Sequence, residues 1–488
     1  MRFHSVHSFF TAPVIVALSI LGSATMASAK DKDKDKGDKD KAAISIDENA
    51  DGERKLHLLV QETEWAKHAD DKVVFPFHGA LAIIGKKRIP IEMKTRGQGS
   101  LKAPRRNYGI SLEEKIKIGT IEGKNFDFSS MWADQGYISS KLGFLAAQKI
   151  GVSTLESEFL EINVKTVDGA GKDANDLERG LYLVTKAPKA HLKDTETPAI
   201  IRRRYYSKAE IKYVSEDEIS RYKPKNNKDD QDKDKKNKDK QTDDKSEDAV
   251  KDALEEKAAA PFLKAYDDLY KAIDTESGDQ LYASLQKRMD IDGYMKWMAM
   301  NSLFQNGDTA DEIFLYVDAD KYKRGEIYFH IAPWDFDDMF KKYHPSPINL
   351  DIFAKFPKQI ILNFEDRLDL KIAKDARLLE IFKSAMNQVL TETLDQKVTD
   401  DLLDTVFKEL KPYLDNESVL EMSALDKVNT AENLNRRYTY DSIVALVQQR
   451  KDEINARRQE LLDLVPTSGP LDYEVPKDIA NPPAPPAH

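Results

Sequence analysis

The segment Ile327-Tyr-Phe-His-Ile-Ala-Pro-Trp-Asp-Phe-Asp337 reads as a buried strand that ends in a tryptophan and two carboxylates spaced one residue apart. A third acid, Asp308, stands earlier in the chain, within Asn306-Gly-Asp-Thr-Ala-Asp-Glu312. Carboxylates at the end of a buried strand are costly unless a cation or a partner offsets their charge. Because one strand and one turn separate the two segments, we expect them to converge on a single metal ion, as phosphoryl transfer requires.

The residue types favour magnesium. Mg²⁺ is usually held by one or two carboxylates together with phosphate oxygens, which Asp335 and Asp337 can provide. In a transferase, Asp308 would orient or deprotonate a hydroxyl nucleophile. The alternative is that Asp337 only caps the next segment, since Asp is a favoured N-cap residue. Capping accounts for Asp337 but does not explain why a carboxylate, Asp335, directly follows Trp334.

The N-terminus predicts export. Residues 1–29 combine a weakly basic start, an apolar run and the small residues Ala27-Ser-Ala29, the pattern of a secretory signal peptide. The run is too short to span a bilayer, so we expect no integral membrane segment after signal removal. The chain has no cysteine, which excludes a disulfide framework and a thiolate metal site. We therefore expect a secreted or periplasmic protein of the cell envelope.

Two low-complexity segments carry much of the charge. Charged residues make up 33% of the chain and the formal net charge is −10. Residues 30–42 and an insert over 216–257 are predicted to be disordered, because neither can bury apolar surface. Their mixed signs argue against nucleic acid, which needs a net basic face. A solvated linker is the simplest interpretation, and contact with divalent cations or an envelope polymer is the alternative.

The remaining pattern predicts an α+β domain over residues 43–465. Strands dominate first, with a strand pair between Ala43 and Val60, one embedded helix over 137–150 and a hairpin over 159–184. Helices follow, apart from two strands that flank the acids. The tail 466–488 is rich in proline and is predicted to be mobile.

Two basic stretches are candidates for anion binding. Arg96-Gly-Gln-Gly-Ser100 follows a predicted strand and offers charge and backbone amides. It lacks the Gly-Lys-Ser/Thr ending of a Walker A loop, so a β-turn with a solvated basic patch is the alternative. Arg202-Arg-Arg204 fits a phosphate contact or a surface strand edge equally well. Glu365, Asp366 and Asp369 are interpreted as exposed helix charges.

Taken in chain order, four segments resemble the CotH spore-coat kinase family. The resemblance implies an α+β, two-lobed atypical protein kinase-like fold that binds ATP with Mg²⁺ and phosphorylates Ser or Thr of exported protein substrates. By position, it implies that Asp308 is catalytic, that Asp335 and Asp337 hold the metal, and that Arg96, Ser100 and Arg106 lie near the phosphates. The four segments are Arg96–Ser100 with Pro104-Arg-Arg-Asn-Tyr108, Gly180-Leu-Tyr-Leu-Val-Thr185, Asn306-Gly-Asp308 and Pro333-Trp-Asp-Phe-Asp337.

Three positions depart from the family pattern. Where the family pattern has a lysine, a glutamate and an asparagine, this chain has Ser111, Lys186 and Glu312, respectively. Our hypothesis is that Lys186 supplies the missing cation to the nucleotide and that Glu312 still serves as a metal ligand. The opposite interpretation is a catalytically inactive pseudokinase. A non-catalytic scaffold of the envelope or extracellular matrix, and a Ca²⁺-dependent adhesin that uses the same acids, are further alternatives.

Overall fold

A computed structural model describes most of the chain after the predicted signal peptide. The predicted signal peptide (1–29) and the charged segment 30–42 lie outside the described residues, as do Ser100 and Glu312. The described residues are 43–68, 73–97, 101, 105–132, 134–168, 173–204, 207–222, 244–309, 313–416 and 438–476.

Strands prevail up to about residue 214 and helices prevail beyond it. The strands are β1 (Ile44–Ile46), β2 (Lys55–Gln61), β3 (Pro76–Phe77), β4 (Leu81–Ile84), β5 (Lys87–Arg96), β6 (Asn107–Ile118), β7 (Ile121–Ser129), β8 (Ser157–Val167), β9 (Asp173–Lys186), β10 (Ala199–Arg204), β11 (Lys208–Val214), β12 (Ile313–Val317) and β13 (Phe329–Pro333). The helices are α1 (Glu62–His68), α2 (Ser139–Lys149), α3 (Pro188–Lys193), α4 (Glu216–Ser220), α5 (Asp244–Thr275), α6 (Gly278–Arg288), α7 (Ile291–Phe304), α8 (Ala319–Lys323), α9 (Pro347–Lys355), α10 (Arg367–Lys374), α11 (Ala376–Gln388), α12 (Gln396–Leu414) and α13 (Tyr440–Leu464).

Among the described residues, nine strands form the first sheet, in the order β1-β6-β7-β9-β8-β2-β4-β5-β3, with an added pairing of β5 and β6. β1 pairs with β6 and β2 pairs with β8, both in parallel. The predicted pairing of the first two strands with each other is therefore wrong. The predicted hairpin of β8 and β9 is confirmed, with Ile162 opposite Gly180.

The second sheet sets the position of the acids. Within the described part of the chain it has four strands, in the order β11-β10-β12-β13. β12 and β13 are antiparallel, with Ile313 opposite Pro333. The chain before β12 and the chain after β13 therefore leave the sheet at the same end. This topology brings the segments that carry Asp308 and Asp335 to one place.

Helix α2, which packs behind the acids, begins through a buried cap. The carboxylate of Asp134 is fully buried and accepts hydrogen bonds from the backbone N–H groups of Ile138, Ser139 and Ser140, at 3.1, 2.9 and 2.8 Å. These are N–H groups that a helix start leaves without partners inside the helix. The predicted helix over 137–150 is thus confirmed, with α2 spanning Ser139–Lys149.

Two predictions of disorder are wrong at their edges. α4 and the beginning of α5 lie within the predicted insert 216–257, and Ile219 is 4% exposed. The predicted mobile tail begins with ordered chain, since Leu471 and Tyr473 are buried. The Tyr473 hydroxyl also donates to Asp351 Oδ2 at 2.8 Å. A prediction from the average composition of a charged or proline-rich segment misses single apolar residues that pack into the core.

The described residues confirm a mixed α and β protein whose strand-rich part precedes its helix-rich part. One buried cluster lies within the first sheet and a larger one joins the helices to the second sheet. The division into two lobes stays a prediction. In the part of the chain that the structure describes, no helix has the length and apolar character that crossing a membrane requires.

Candidate active site

Asp308 lies in a loop that begins where α7 ends. α7 stops at Phe304, and Gln305 adopts a left-handed conformation with φ of 51°. Such a residue is a common way to end a helix. The backbone N–H of Asn306 then donates to the carbonyl of Asn301 at 3.0 Å, which closes the helix end. The loop therefore leaves the helix in a fixed direction.

The Asp308 loop is bonded to the segment that carries Asp337. Gly307 N donates to the carbonyl of Asp338 at 2.9 Å. A Cβ atom on Gly307 would stand 2.7 Å from the carbonyl oxygen of Lys342. Because a backbone atom cannot yield easily, only glycine permits this approach. The two acid-bearing segments are therefore held side by side through their backbones.

Asp335 and Asp337 flank a residue that is anchored in the core. Phe336 is 1% exposed, and its ring meets the Phe144 ring of α2 edge-on, with centroids 5.2 Å apart. Gly143 of α2 makes room for it, since a Cβ there would stand 2.2 Å from Phe336 Cγ. With Phe336 in the core, both flanking carboxylates remain outside it.

The backbone of Asp335 is strained. Its φ is 51°, in the left-handed region that residues other than glycine seldom adopt. Asp and Asn tolerate this region better than most residues. Strained backbone of this kind is concentrated at active sites and ligand-binding sites. The conformation therefore makes Asp335 a candidate functional residue on grounds independent of its charge.

The acids of the two segments act on each other. Burial is the largest cause of a pKa of Asp335 well above its usual range, and the negative charges of Asp337 and Asp308 raise it further. The side chain is nevertheless open to solvent. The two neighbouring carboxylates raise the pKa in the same direction as burial, because like charges disfavour ionisation.

Two arginines oppose this negative charge, one from each sheet. Arg96 and Arg202 both lower the pKa of Asp335. Arg96, at the end of β5, forms an ion pair with Asp127 of β7. Arg202, on β10, lies with its guanidinium 5.1 Å from the centroid of the Trp334 ring. The predicted phosphate contact of Arg96 stays a prediction, and Arg202, for which the sequence left two interpretations open, joins it as a positive charge that acts on Asp335.

The buried indole N–H, the two arginines and the carboxylates together suit a polyanion bound with a divalent cation. Trp334 Nε1 is buried and makes no hydrogen bond with the described residues. A buried donor without a partner costs about 1–3 kcal/mol, which an acceptor brought by a ligand would offset. Among the described residues, no group of three or more His, Cys, Asp or Glu side chains is placed to hold a metal ion. A cation beside Asp335 and Asp337 would therefore need ligand oxygens as well, which is the usual situation of Mg²⁺.

Two predicted phosphate contacts lie in other surroundings. Arg106 is 7% exposed and packs over the rings of Trp65 and Phe75, at 4.8 and 5.6 Å from their centroids. This packing gives it a structural role, and its predicted phosphate contact gains no support. Lys186 forms an ion pair with Asp194, and its part in nucleotide binding stays a prediction.

A buried polar network lies behind the Asp308 loop. Glu365, Asp366 and Asp369 are 5%, 2% and 3% exposed, so their interpretation as exposed helix charges is wrong. Arg203, itself 1% exposed, lies 3.6 Å from Asp366, and His344 Nδ1 lies 2.7 Å from Glu365 Oε1. The Tyr294 hydroxyl also donates to Asp369 Oδ1 at 2.6 Å. Buried charges persist only when they are paired in this way.

Asp369→Asn is expected to remove part of the pH dependence of stability. The pKa of Asp369 is raised from 3.8 to about 7, mainly by burial. The positive charge of Arg203 lowers this pKa and the negative charge of Asp366 raises it. Between about pH 4 and 7 the folded protein keeps a proton that the unfolded chain has lost. The free energy of unfolding therefore falls as the pH rises through this window, and the variant lacks this fall.

The measurement is urea unfolding at pH 5 and pH 8. The stability of Asp369→Asn relative to the wild type should rise from pH 5 to pH 8. Asp441→Asn, at an exposed position in the first turn of α13, serves as the control and should show no such trend. Parallel stability curves for the wild type and Asp369→Asn would contradict the prediction.

Asp335, with its left-handed backbone, Asp337 two residues further on, Asp308 on the adjoining loop and the two arginines make up the candidate site. The family model described as "CotH kinase protein" matches residues 93–461, and the chain belongs to this family. The family expected from the four sequence segments is thereby confirmed. No curated protein matches the chain in sequence.

Two solved structures are also similar to the chain. The Helicobacter pylori proinflammatory kinase CtkA is 10% identical, covering 73% of this chain and 94% of that chain, with a TM-score of 0.29. A chain of the Shewanella oneidensis MR-1 toxin–antitoxin complex of HipA, HipB and operator DNA is 9% identical. That match covers 72% of this chain and 61% of that chain, with a TM-score of 0.26. At these TM-scores neither likeness carries an argument about the site.

Proposed function

We propose that this protein is a kinase that transfers the γ-phosphoryl group of ATP to Ser or Thr hydroxyls of exported proteins. Membership of the CotH kinase family supports the reaction class. The observation that carries the proposal is that Asp308 and Asp337 lie near enough to Asp335 to raise its pKa, with Arg96 and Arg202 opposing them. Export and the class of acceptor rest on the predicted signal peptide and on the family.

Each acid has a distinct role in this proposal. Asp335 and Asp337 hold Mg²⁺, which would supply positive charge to the phosphate oxygens. Asp308 accepts a hydrogen bond from the acceptor hydroxyl, orients it and takes its proton. The backbone bond between Gly307 and Asp338 supports this division, because it fixes Asp308 beside the metal ligands.

The departures from the family pattern do not leave the site without a cation. Ser111 donates its hydroxyl to Asn125 Oδ1 at 2.7 Å, so it has a structural partner. A kinase needs a cation at the phosphates and an acid that holds the cation in place. In this proposal Arg96 and Asp127 form that pair. We therefore favour an active kinase over a pseudokinase.

Arg202→Met is expected to weaken binding of ATP with Mg²⁺ about tenfold. A hydrogen bond to a charged group contributes about 1.5–3 kcal/mol, and about 1.4 kcal/mol corresponds to a factor of ten in affinity. Isothermal titration calorimetry would measure the loss. Arg204→Met is the matched control, since Arg204 lies on the same strand and its guanidinium donates to Glu210 Oε2 at 2.6 Å. Equal affinities for wild type and Arg202→Met would exclude Arg202 from the ligand site.

The decisive experiment follows label transfer and ligand binding together. The purified protein is incubated with γ-³²P-ATP, Mg²⁺ and candidate exported proteins, with Asp335→Asn in parallel. Transfer to Ser or Thr that is lost in the variant is expected. Thermal unfolding with ATP and Mg²⁺ is recorded beside it, since a ligand at one hundred times its Kd adds about 2.7 kcal/mol.

Each other outcome points to one alternative. Stabilisation by ATP and Mg²⁺ without transfer to any acceptor, or to the protein itself, would identify a pseudokinase. Neither stabilisation nor transfer would favour the envelope or matrix scaffold. Stabilisation by Ca²⁺ alone, without a nucleotide effect, would favour the adhesin.

A further inference from the structure

Two buried side chains hold the backbone on both sides of Asp308. Arg203 donates from Nη2 to the carbonyl of Thr309 at 2.9 Å. Asn363 donates from Nδ2 to the carbonyl of Asn306 at 3.0 Å and to Thr309 Oγ1 at 3.2 Å. The chain is thus fixed two residues before the acid and one residue after it.

Arg203 is itself fixed by partners from the helical part of the chain. Its guanidinium donates to the Tyr294 hydroxyl of α7 and lies 3.6 Å from Asp366 at the start of α10. Asp366 in turn accepts hydrogen bonds from Tyr270 and Ser207, at 2.9 and 2.8 Å. With this many partners the guanidinium has one available orientation, which directs Nη2 at the loop.

The orientation of Asn363 is also determined by its partners. Its Oδ1 accepts from the backbone N–H of His344 and from Asn349 Nδ2, both at 3.1 Å. These two donors leave Nδ2 as the group that faces the loop. Asn349 is fully buried and also accepts from the backbone N–H of Phe364 at 2.8 Å. Asn363 therefore relays the position of a rigid segment to the Asp308 loop.

We propose that Arg203 and Asn363 are positioning residues that hold Asp308 in the orientation needed for phosphoryl transfer; this inference rests on the proposed function. Neither residue contacts the reacting groups in this scheme. The physical reason is that a displacement of about 1 Å at a catalytic group can cost about a hundredfold in rate. A loop outside regular structure keeps such accuracy only when buried donors fix its carbonyl groups.

Three variants remove the loop contacts with little change in shape. Asn363→Asp keeps the acceptor for His344 and Asn349 and loses both donors to the loop. Thr309→Val removes the hydroxyl that Asn363 contacts, whereas Thr309→Ser keeps it. Arg203→Lys keeps a positive charge near Asp366 and loses the second N–H that reaches Thr309.

We expect Asn363→Asp, Thr309→Val and Arg203→Lys to lower kcat by about 10- to 100-fold. In these three variants, the KM for ATP and the thermal shift caused by ATP with Mg²⁺ should stay within about twofold of wild type. Thr309→Ser, which keeps the hydroxyl, should keep the wild-type kcat. Tyr413→Phe is the matched control. Its hydroxyl donates to the carbonyl of Phe159 at 2.8 Å and accepts from the backbone N–H of Arg54 at 3.0 Å, away from the loop and its network, so the variant should lose stability without losing kcat.

Hydrogen exchange of the amides at residues 305–309 gives a second readout that does not depend on activity. Faster exchange there in Asn363→Asp, but not in Tyr413→Phe, is expected. The inference is overturned if exchange is unchanged, or if kcat falls only as far as it does in the control. Faster loop exchange in a protein whose wild type transfers no phosphate would instead reject the proposed function and retain the loop-fixing role.

Discussion

Asp335→Asn is expected to lower phosphoryl transfer by about a thousandfold or more, and to stabilise the protein in the absence of nucleotide. The loss follows because a metal ion supplies several kcal/mol of transition-state stabilisation, and Asp335 is one of the proposed ligands of that ion. The gain in stability follows because Asn has nearly the same size and removes a charge that Asp337 and Asp308 oppose.

The sign of the stability effect depends on pH in a defined way. The pKa of Asp335 is raised in the folded protein, so the ionised carboxylate is less favourable there than in the unfolded chain. The stability of the wild type therefore falls as the pH rises above the ordinary value of 3.8. The advantage of Asp335→Asn should be present at pH 8 and should diminish towards pH 4.

Urea unfolding at both pH values and a label-transfer assay test this pair of effects. Asp338→Asn is the control, because Asp338 lies on the same turn and pairs with Lys341. It should keep transfer within about twofold of wild type. An Asp335→Asn variant that transfers phosphate at the normal rate would refute the assignment of the metal ligand.

The second large effect is expected for Gly143→Ala, which lies on α2 and has no contact with the ligand in this proposal. The new Cβ would stand 2.2 Å from Phe336 Cγ. Phe336 cannot move outward without leaving the core, since it is 1% exposed and packed on Phe144. Overpacking of a core costs about 1–3 kcal/mol. Displacement of Phe336 also carries Asp335 with it, so transfer should fall by about a hundredfold.

Urea unfolding and the transfer assay measure both consequences. The added Cβ would stand 2.4 Å from Phe336 Cβ as well as 2.2 Å from its Cγ, so a smaller side chain such as leucine at position 336 should not rescue the variant. Gly469→Ala is the neutral control, since a Cβ there meets nothing within 4 Å. Wild-type stability and activity in Gly143→Ala would show that Phe336 does not set the position of the acids.

The acids could be predicted from the sequence because their placement depends on local pattern. A buried strand that ends in Trp334 and Asp335, preceded by a strand that follows Asp308, predicts one shared end of a sheet. The antiparallel register of β12 and β13 has that form. The positions of Asp308, Asp335 and Asp337 follow from this register, whereas their chemical roles remain predictions.

The local sequence pattern could not show which of the arginines on β10 is buried. Arg202, Arg203 and Arg204 are consecutive, and only the alternation of β10 directs Arg203 into the core and its neighbours to the other face. The partner that makes burial of Arg203 tolerable is Asp366, which is distant in sequence. Such a pair leaves no periodic signal, and a run of charges reads as solvent-exposed until the partner is known.

Gly143 was also beyond reach of sequence reasoning. A glycine inside a helix lowers the helix propensity slightly and gives no indication of what approaches it. Its importance arises from the ring of Phe336, which comes from a segment that follows β13. Ser100, expected near the phosphates from the family resemblance, and Glu312, expected as a metal ligand, lie outside the described residues. Their roles stay predictions.

The hydrogen bonds between the residues that follow α7 and those that follow β13 have a consequence for how the protein accommodates ligands. Phe304, Gln305 and Gly307 each bond to the opposite backbone, at 2.9 to 3.0 Å. A displacement of Asp308 would therefore carry Asp337 in the same direction, and the spacing of the carboxylates would be the same with and without nucleotide. Adjustment to ligands of different length would then fall to Arg96 and its strand.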